Sequence, residues 1–485
     1  MNLLKLISLS LFGLVSVSHA VLVNEKITLK PSMEVKYNTL PSSVDSIGEV
    51  FSEGIIYGRL RTNAFLWNWK NEAGFDNKAL GLGGSLFYKT APLSGISATL
   101  GIYTTQNPSW MREDASNVSR VKAGKDTFSR YRVTTSGQFG MSVLGQAYLQ
   151  YDVSKTSIFF GRQMFESVFT RSNDTKMIPN TFDGLSATIK ELPNTTIRLA
   201  YLDKQKLRDH TLSHDVIAFA GGSSPDKWLQ NDDSGVNRNL TVARIGNDNE
   251  LLIASVKNTS IQNIKAQISY AMVPNVLSNL TLETHLKLPL TKDWSLSAGF
   301  RYMQQFDNLN ANYNVSNLLT SHDGYKENAK KSLDTNLLAL RLDLKNQAFL
   351  GRLGYSHIAD KADIVTPWRG FPTGGFTRAM AQYNWYANTK TYMARVGYYF
   401  SKAKLLDGFS IMARYAIQDN DDKKAGVPGD SNIVHIDARQ NLGDNLELKL
   451  RLGFVEYKKG IQDINGDTKA DLSYNEYRFE MNYFF

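Results

Sequence analysis

Polar and apolar positions alternate at period two in run after run along this chain. In residues 446–454, Leu446, Leu448, Leu450, Leu452 and Phe454 share one parity, and Glu447, Lys449 and Arg451 share the other. Successive side chains of a strand point to opposite faces, so such a run has one apolar and one polar side. Residues 280–288 set Leu280, Leu282, Leu286 and Leu288 against Thr281, Glu283, His285 and Lys287. Residues 338–344 oppose four leucines to Ala339, Arg341 and Asp343. The same reading puts Arg59, Arg61 and Asn63 on one face of 54–65, Arg395 with Met393 in 392–400, and Arg414 with Met412 in 409–417. It groups His435, Asp437 and Arg439 in 434–439, and it places Arg130 and Arg132 opposite Tyr131 and Val133 in 128–133. A soluble sheet must bring its apolar faces together in a shared core. Here those faces are Leu and Tyr with aromatics at the strand ends, as lipid and its two interfaces select, while the polar faces carry long cations suited to a wet lumen.

The connections alternate in character. Short turns at 291–293, 406–408 and 442–445 contrast with long polar segments at 105–127, 209–239, 307–331, 358–382, 418–431 and 458–471. Short turns on one side and long loops on the other predict an all-β fold, a transmembrane up-and-down antiparallel β-barrel. Strands of about ten residues give an even count of roughly sixteen to eighteen. The chain closes on an alternating strand in which Tyr477, Phe479, Met481, Tyr483 and Phe485 oppose Arg478, Glu480 and Asn482. Such a terminus is read as the signal presented to the barrel assembly machinery. Residues 160–185 form one more long connection, with aromatics and an Ile178-Pro179 turn that suit an ordered loop. A connection of that length without periodicity is usually functional or disordered.

Composition agrees with export. In residues 1–20, Lys5 is the only charged side chain, an apolar run follows, and Ser18-His19-Ala20 gives a small-residue cleavage pattern. This reads as a Sec signal peptide, leaving one barrel domain over 21–485. The 485-residue chain has no cysteine, which excludes disulfides and thiolate metal sites. Beyond the signal no run approaches the roughly 18 apolar residues of a membrane helix. Aromatics reach 11%, and 23 of them are Tyr, in keeping with an outer-membrane barrel in contact with lipid and lipopolysaccharide.

Gly161-Arg162-Gln163, Ser172-Asn173-Asp174-Thr175-Lys176 and Pro179-Asn180-Thr181-Phe182-Asp183-Gly184 resemble the third-loop segment of OprD-family porins. Leu199 through Asp209 is similar to the strand and loop that follow it there. The Arg59-Leu60-Arg61 strand and the aromatic terminus sit where that family has them. The resemblance implies about 18 strands, within the known range, and a third loop folded into the lumen to make an eyelet. It also implies a ladder of Arg and Lys that leads carboxylate-bearing solutes past an electronegative pocket. On that resemblance Arg59, Arg61, Lys449 and Arg451 are rungs, Arg162 lines the pore, and Asn173, Asp174 and Lys176 belong to the loop. Parity alone adds Arg130, Arg132, Arg341, Arg395, Arg414, Arg439 and Arg478 to the lumen, and Glu166, Asp174 and Asp183 are candidates for the acidic side.

Arginine suits a ladder because it never titrates and offers a planar fork to a carboxylate. The bland reading is that these arginines only pair with Glu447, Asp437 and Glu480. The expected function is passive, substrate-selective diffusion of small anionic or zwitterionic solutes across the outer membrane of a Gram-negative cell. A general porin, an outer-membrane enzyme and a secreted adhesin are the alternatives. No cofactor, metal or nucleic-acid partner is expected, and either a monomer or a homotrimer fits. His210 and His214 are the only histidines at metal spacing, and no serine-hydrolase elbow occurs. Asp463, Asn465 and Asp467 have calcium-loop spacing, but Thr468 and Tyr474 break the pattern at its glycine and glutamate positions.

Overall fold

The structure is a computed structural model and describes residues 27–29, 35–71, 74–171, 176–219, 239–310, 313–317, 324–326, 328–380 and 383–485. The signal-like residues 1–20, and with them Asn173 and Asp174, lie outside the described residues.

Eighteen antiparallel strands close into one barrel. In order they are β1 (Ile55–Trp69), β2 (Asn77–Lys89), β3 (Ile96–Gln106), β4 (Met141–Val153), β5 (Thr156–Gln163) and β6 (Thr181–Ile189). Next come β7 (Thr195–Lys206), β8 (Leu251–Asn258), β9 (Ile264–Val273), β10 (Leu277–Pro289), β11 (Ser295–Asp307) and β12 (Thr335–Lys345). The last six are β13 (Phe349–Ile358), β14 (Lys390–Tyr399), β15 (Phe409–Asp419), β16 (Ser431–Leu442), β17 (Leu446–Tyr457) and β18 (Tyr474–Phe484). β18 pairs back onto β1, with Met481 opposite Thr62, so the barrel sheet closes on itself without an edge that would face lipid unsatisfied. No described helix is long and apolar enough to cross a membrane.

The alternation in the sequence becomes the two sides of this wall. Leu60 is 56% exposed while its neighbours Arg59 and Arg61 are 0% and 2% exposed. Leu340 and Leu342 are exposed and Asp343 is buried. Tyr483 and Phe485 are exposed, and Glu480 and Asn482 are buried. Outward leucines and aromatics supply the apolar band that a bilayer needs.

The lumen side is partly filled. An N-terminal hairpin, Ile27–Leu29 paired with Val35–Tyr37, packs Ile27 and Val35 with Tyr57, Phe87 and Tyr103. A short helix α1 (Ile47–Ser52) follows, closed by a Ser46–Glu49 capping box. A larger apolar cluster joins Phe165, Phe169, Ile217, Val315, Trp368 and Trp385 of the long connections to Leu202, Ile253, Ala271 and Met303 of the wall. The long connections therefore pack on one another rather than standing free.

Two local expectations are corrected. Residues 128–133 are not a strand: Arg130 and Arg132 begin helix α2 (Arg130–Ser136), inside the connection between β3 and β4. Ser129 caps it by accepting from the Arg132 amide, and Gly137 ends it at φ +68°. The hydroxyls of Thr134, Thr135 and Ser136 return to the carbonyls of Arg130, Tyr131 and Arg132. Six alternating residues fit either element, and the Ser and Gly caps decide for the helix. Second, β5 runs to Gln163 and β6 begins at Thr181, so the third loop is 164–180. Asp183 is a wall residue of β6, directly opposite Arg162 of β5.

Candidate functional site

Three of the long connections meet in one buried charge cluster: loop 2 (107–140), loop 3 (164–180) and loop 4 (207–250). Asp126 of loop 2 lies 3.6 Å from the Lys176 Nζ of loop 3 and 3.1 Å from the Arg208 Nε of loop 4. Arg130 of α2 makes a 2.9 Å ion pair with Asp209 of loop 4. All of these side chains are nearly inaccessible. Burial pushes the Asp126 carboxyl up, but Lys176 and then Arg208 outweigh it and hold Asp126 well below the usual carboxylate range. Burial lowers the Lys176 ammonium to about 7, against the pull of Asp126.

Loop 3 is tied to widely separated parts of the barrel. It leaves β5 and returns to β6, yet Arg61 of β1 donates to the Lys176 carbonyl. Lys176 also donates to the Ala123 carbonyl of loop 2 and sits 5.0 Å from the Phe65 ring of β1. At its other end Thr170 forms a ladder pair with Arg369 of loop 7 (359–389), and the Arg171 amide donates to the Trp368 carbonyl. Loop 7 hangs between β13 and β14. The glycines show how close these passes are. A Cβ on Gly81 would meet the Met177 Cγ at 2.6 Å, and one on Gly370 would meet the Phe169 carbonyl oxygen at 2.0 Å.

The wall cations fall into three groups. Some have acidic partners: Arg61 with Glu480, Arg439 with Glu447 at 2.6 Å, Arg451 with Asp437 at 3.1 Å, and Arg478 with Glu476. Arg162 holds Asp183 bidentately at 2.7 and 2.9 Å, so each of these two candidates neutralises the other. Others hold loop 7 by its carbonyls, Arg301 and Arg352 while also paired with Glu283 and Asp343. Arg301 donates to Pro372 and Gly374, Arg341 and Arg352 both donate to Gly375, and Arg414 donates to Arg378. In the third group, Arg59 and Arg395 have no hydrogen bond or ion pair among the described residues. Arg59 is fully buried beside Arg61, whereas Arg395 is only partly buried. Lys449 is half-exposed on β17, opposite Arg439 and Glu480. Arg132 donates to Gln138, next to α2. Glu166 gives its carbonyl to Arg198, and its carboxylate lies 4.0 Å from Arg171.

A fold of this kind is shared with solved structures of other bacterial proteins. OccAB1 of Acinetobacter baumannii superposes at a TM-score of 0.68 with 14% identity, over 90% of this chain and 97% of that one. OpdK of Pseudomonas aeruginosa, solved with vanillate, superposes at 0.64 with 13% identity over 89% and 98%. OccK9 (OpdG) of the same organism gives 0.65, 14%, 90% and 99%. No curated protein matches the chain in sequence. The family described as outer membrane porin, OprD family, matches residues 136–483, more than half of the chain. The chain belongs to the OprD family of outer membrane porins. As a member it is a channel of a family of porins rather than of enzymes.

In this OprD-family porin, sequence parity missed the residues that organise the loops. Asp126, Arg208 and Asp209 lie in connections where parity carries no information. Arg301 and Arg352 lie on strands, and Arg352 is surrounded by Gly351 and Gly354, which blur the apolar contrast. The signal for loop 7 is the Pro372-Thr373-Gly374-Gly375 turn, whose backbone oxygens face three arginines, Arg301, Arg341 and Arg352. His210 and His214 do meet, with rings 4.8 Å apart, but no described group of three acidic or imidazole side chains is placed to hold a metal ion. Asp463 uses its carboxylate to close its own turn, accepting from the Asn465 and Asp467 amides at 2.9 and 3.2 Å.

Proposed function

We propose that this OprD-family porin passes small anionic or zwitterionic, carboxylate-bearing solutes selectively through an eyelet bounded by loop 3. What carries the reading is the double attachment of loop 3, to Arg61 of β1 at one end and to loop 7 at the other. A segment fastened at two distant places on a barrel lies across part of the lumen between them. Cations on the wall beside it give the opening its sign. Arg395 and Arg414 have no acidic partner among the described residues, and the half-buried or exposed Arg439, Lys449 and Arg451 stand beside Asp437, Glu447 and Glu480. Between low-dielectric walls such an excess focuses a field that favours anions. Arg59 adds charge rather than contact, because it is fully covered.

The bland reading holds for part of the wall, since Arg61, Arg439 and Arg451 do pair with Glu480, Glu447 and Asp437. A paired guanidinium still helps an anion, because a passing carboxylate can share its free N–H groups without forming a tight complex. Release must stay easy, so a good pore is a weak binder. The vanillate in the OpdK structure is a carboxylate in a channel of this fold, in keeping with such a solute. Single-channel recording against carboxylate, amino-acid and sugar solutes tests the reading. Carboxylates should compete for current, and Arg59→Ala and Arg451→Ala should each lower anion preference. Equal competition by neutral sugars, with selectivity unchanged in both variants, would mark a general porin instead.

A further inference from the structure

Three arginines stand side by side on the inner wall of β13, β14 and β15. Arg352 is directly opposite Arg395, and Arg395 is directly opposite Arg414. Their sequence neighbours Leu353, Val396 and Tyr415 are exposed on the outer face, so all three guanidiniums share the lumen side. Residues directly opposite on one face have Cβ atoms roughly 4.5–5.5 Å apart, and like charges placed so are destabilising. One carboxylate serves the row from its end: Asp343 of β12 takes Arg352 bidentately, at 2.6 and 2.8 Å. At the other end His435 continues the row on β16, but it is engaged with Asp437 at 2.8 Å, which also holds Arg451. Arg414 spends one donor on the Arg378 carbonyl. Arg395, in the middle, is partly buried and has no partner among the described residues.

We infer that Arg395, flanked by Arg352 and Arg414, forms a site for a doubly charged tetrahedral oxyanion, the phosphoryl group of free phosphate or of a phosphate monoester. A single carboxylate fills one guanidinium fork and brings one charge. A phosphoryl group brings about −1.5 to −2 charges and three acceptor oxygens, enough to take donors from two neighbouring guanidiniums at once. Gly375 of loop 7 receives a donor from Arg352 at 2.7 Å, so the loop fixes one end of the row without occupying Arg395. The inference goes beyond the proposed function, since it adds a phosphoryl class to the carboxylates named there, and it depends neither on loop 3 nor on the β1 and β17 rungs.

The test is block of chloride current through the full-length porin in planar bilayers at pH 8, with inorganic phosphate in one arm and glycerol 3-phosphate in the other. Each is compared with acetate. Wild type should be blocked by a phosphoryl probe at concentrations where acetate has little effect. Arg395→Gln should weaken that block roughly tenfold or more, the scale of losing hydrogen bonds to a charged group. Arg395→Lys, which keeps the charge without the fork, should fall between. Block by either probe supports the site and tells whether it takes the free ion or the ester. Block by neither, or block undiminished in Arg395→Gln, overturns it. Arg451→Ala keeps the phosphate block if the two sites are independent, so failure of the carboxylate ladder and failure of this site read differently.

Discussion

Asp126→Asn is the substitution that most directly probes how the loops are held. The carboxylate sits 3.1 Å from Arg208 and 3.6 Å from Lys176, with all three side chains buried. At an effective dielectric of 20, each contact is an attraction of about 5 kcal/mol before desolvation is counted. Desolvation offsets much of this, but removing one partner of a buried pair costs about 3–5 kcal/mol, because the other charge stays buried alone. Here one change strands two cations. If that loss falls on the latching of loop 3, the ratio of latched to unlatched loop drops by roughly two to three and a half powers of ten. Single-channel recordings should then show larger mean conductance and frequent steps between levels, where the wild type is quiet. Double-mutant comparison with Lys176→Met should show strong coupling, since each change removes the same contact. Quiet, wild-type conductance in Asp126→Asn together with additive effects in the double mutant would refute the latch.

Three further outcomes follow from the same geometry. Gly370→Ala places a Cβ 2.0 Å from the Phe169 carbonyl oxygen. It should separate loop 7 from loop 3 at a cost of about 1–3 kcal/mol, read as raised conductance with the barrel's heat-modifiable migration intact. Lys176, held at about 7 by burial against the pull of Asp126, loses its charge as pH rises from 6 to 8. The anion-to-cation permeability ratio should fall across that interval in wild type and stay flat in Lys176→Met. An unfolded lysine stays protonated to about 10.4, so between pH 7 and 10 raising the pH also favours the folded loop. Arg130→Met strands Asp209, its 2.9 Å partner, and should increase protease cleavage in loop 2 while leaving the barrel resistant.

The barrel was legible because its rule is local. A strand in a two-sided wall must alternate, and Leu60 between Arg59 and Arg61, or Leu340 and Leu342 around Arg341, carries that rule in a few residues. The lumen was less legible. Parity gives the direction of Arg395 or Arg439 but not its partner, and partners decide whether an arginine is a rung or a brace. Arg341 and Arg414 share the parity of Arg395, yet they donate to loop 7 carbonyls, which no side-chain pattern encodes. Asp183 read as a loop residue because its strand begins with Thr181 and Phe182, after a proline turn. Residues 128–133 alternate well enough for a strand, but the Ser129 and Gly137 caps settle the helix. The charge cluster at Asp126 joins three loops far apart in sequence, and only the closed barrel brings them together.

The central claim is that an anion-favouring lumen is narrowed by a loop fastened at both ends. The reversal potential across a tenfold KCl gradient tests it most directly, measured for wild type, Arg451→Ala and Asp126→Asn in the same bilayers. The claim predicts anion selectivity in wild type, a shift toward zero in Arg451→Ala, and weaker selectivity with larger conductance in Asp126→Asn. Cation selectivity in wild type, or one reversal potential shared by all three, would contradict it.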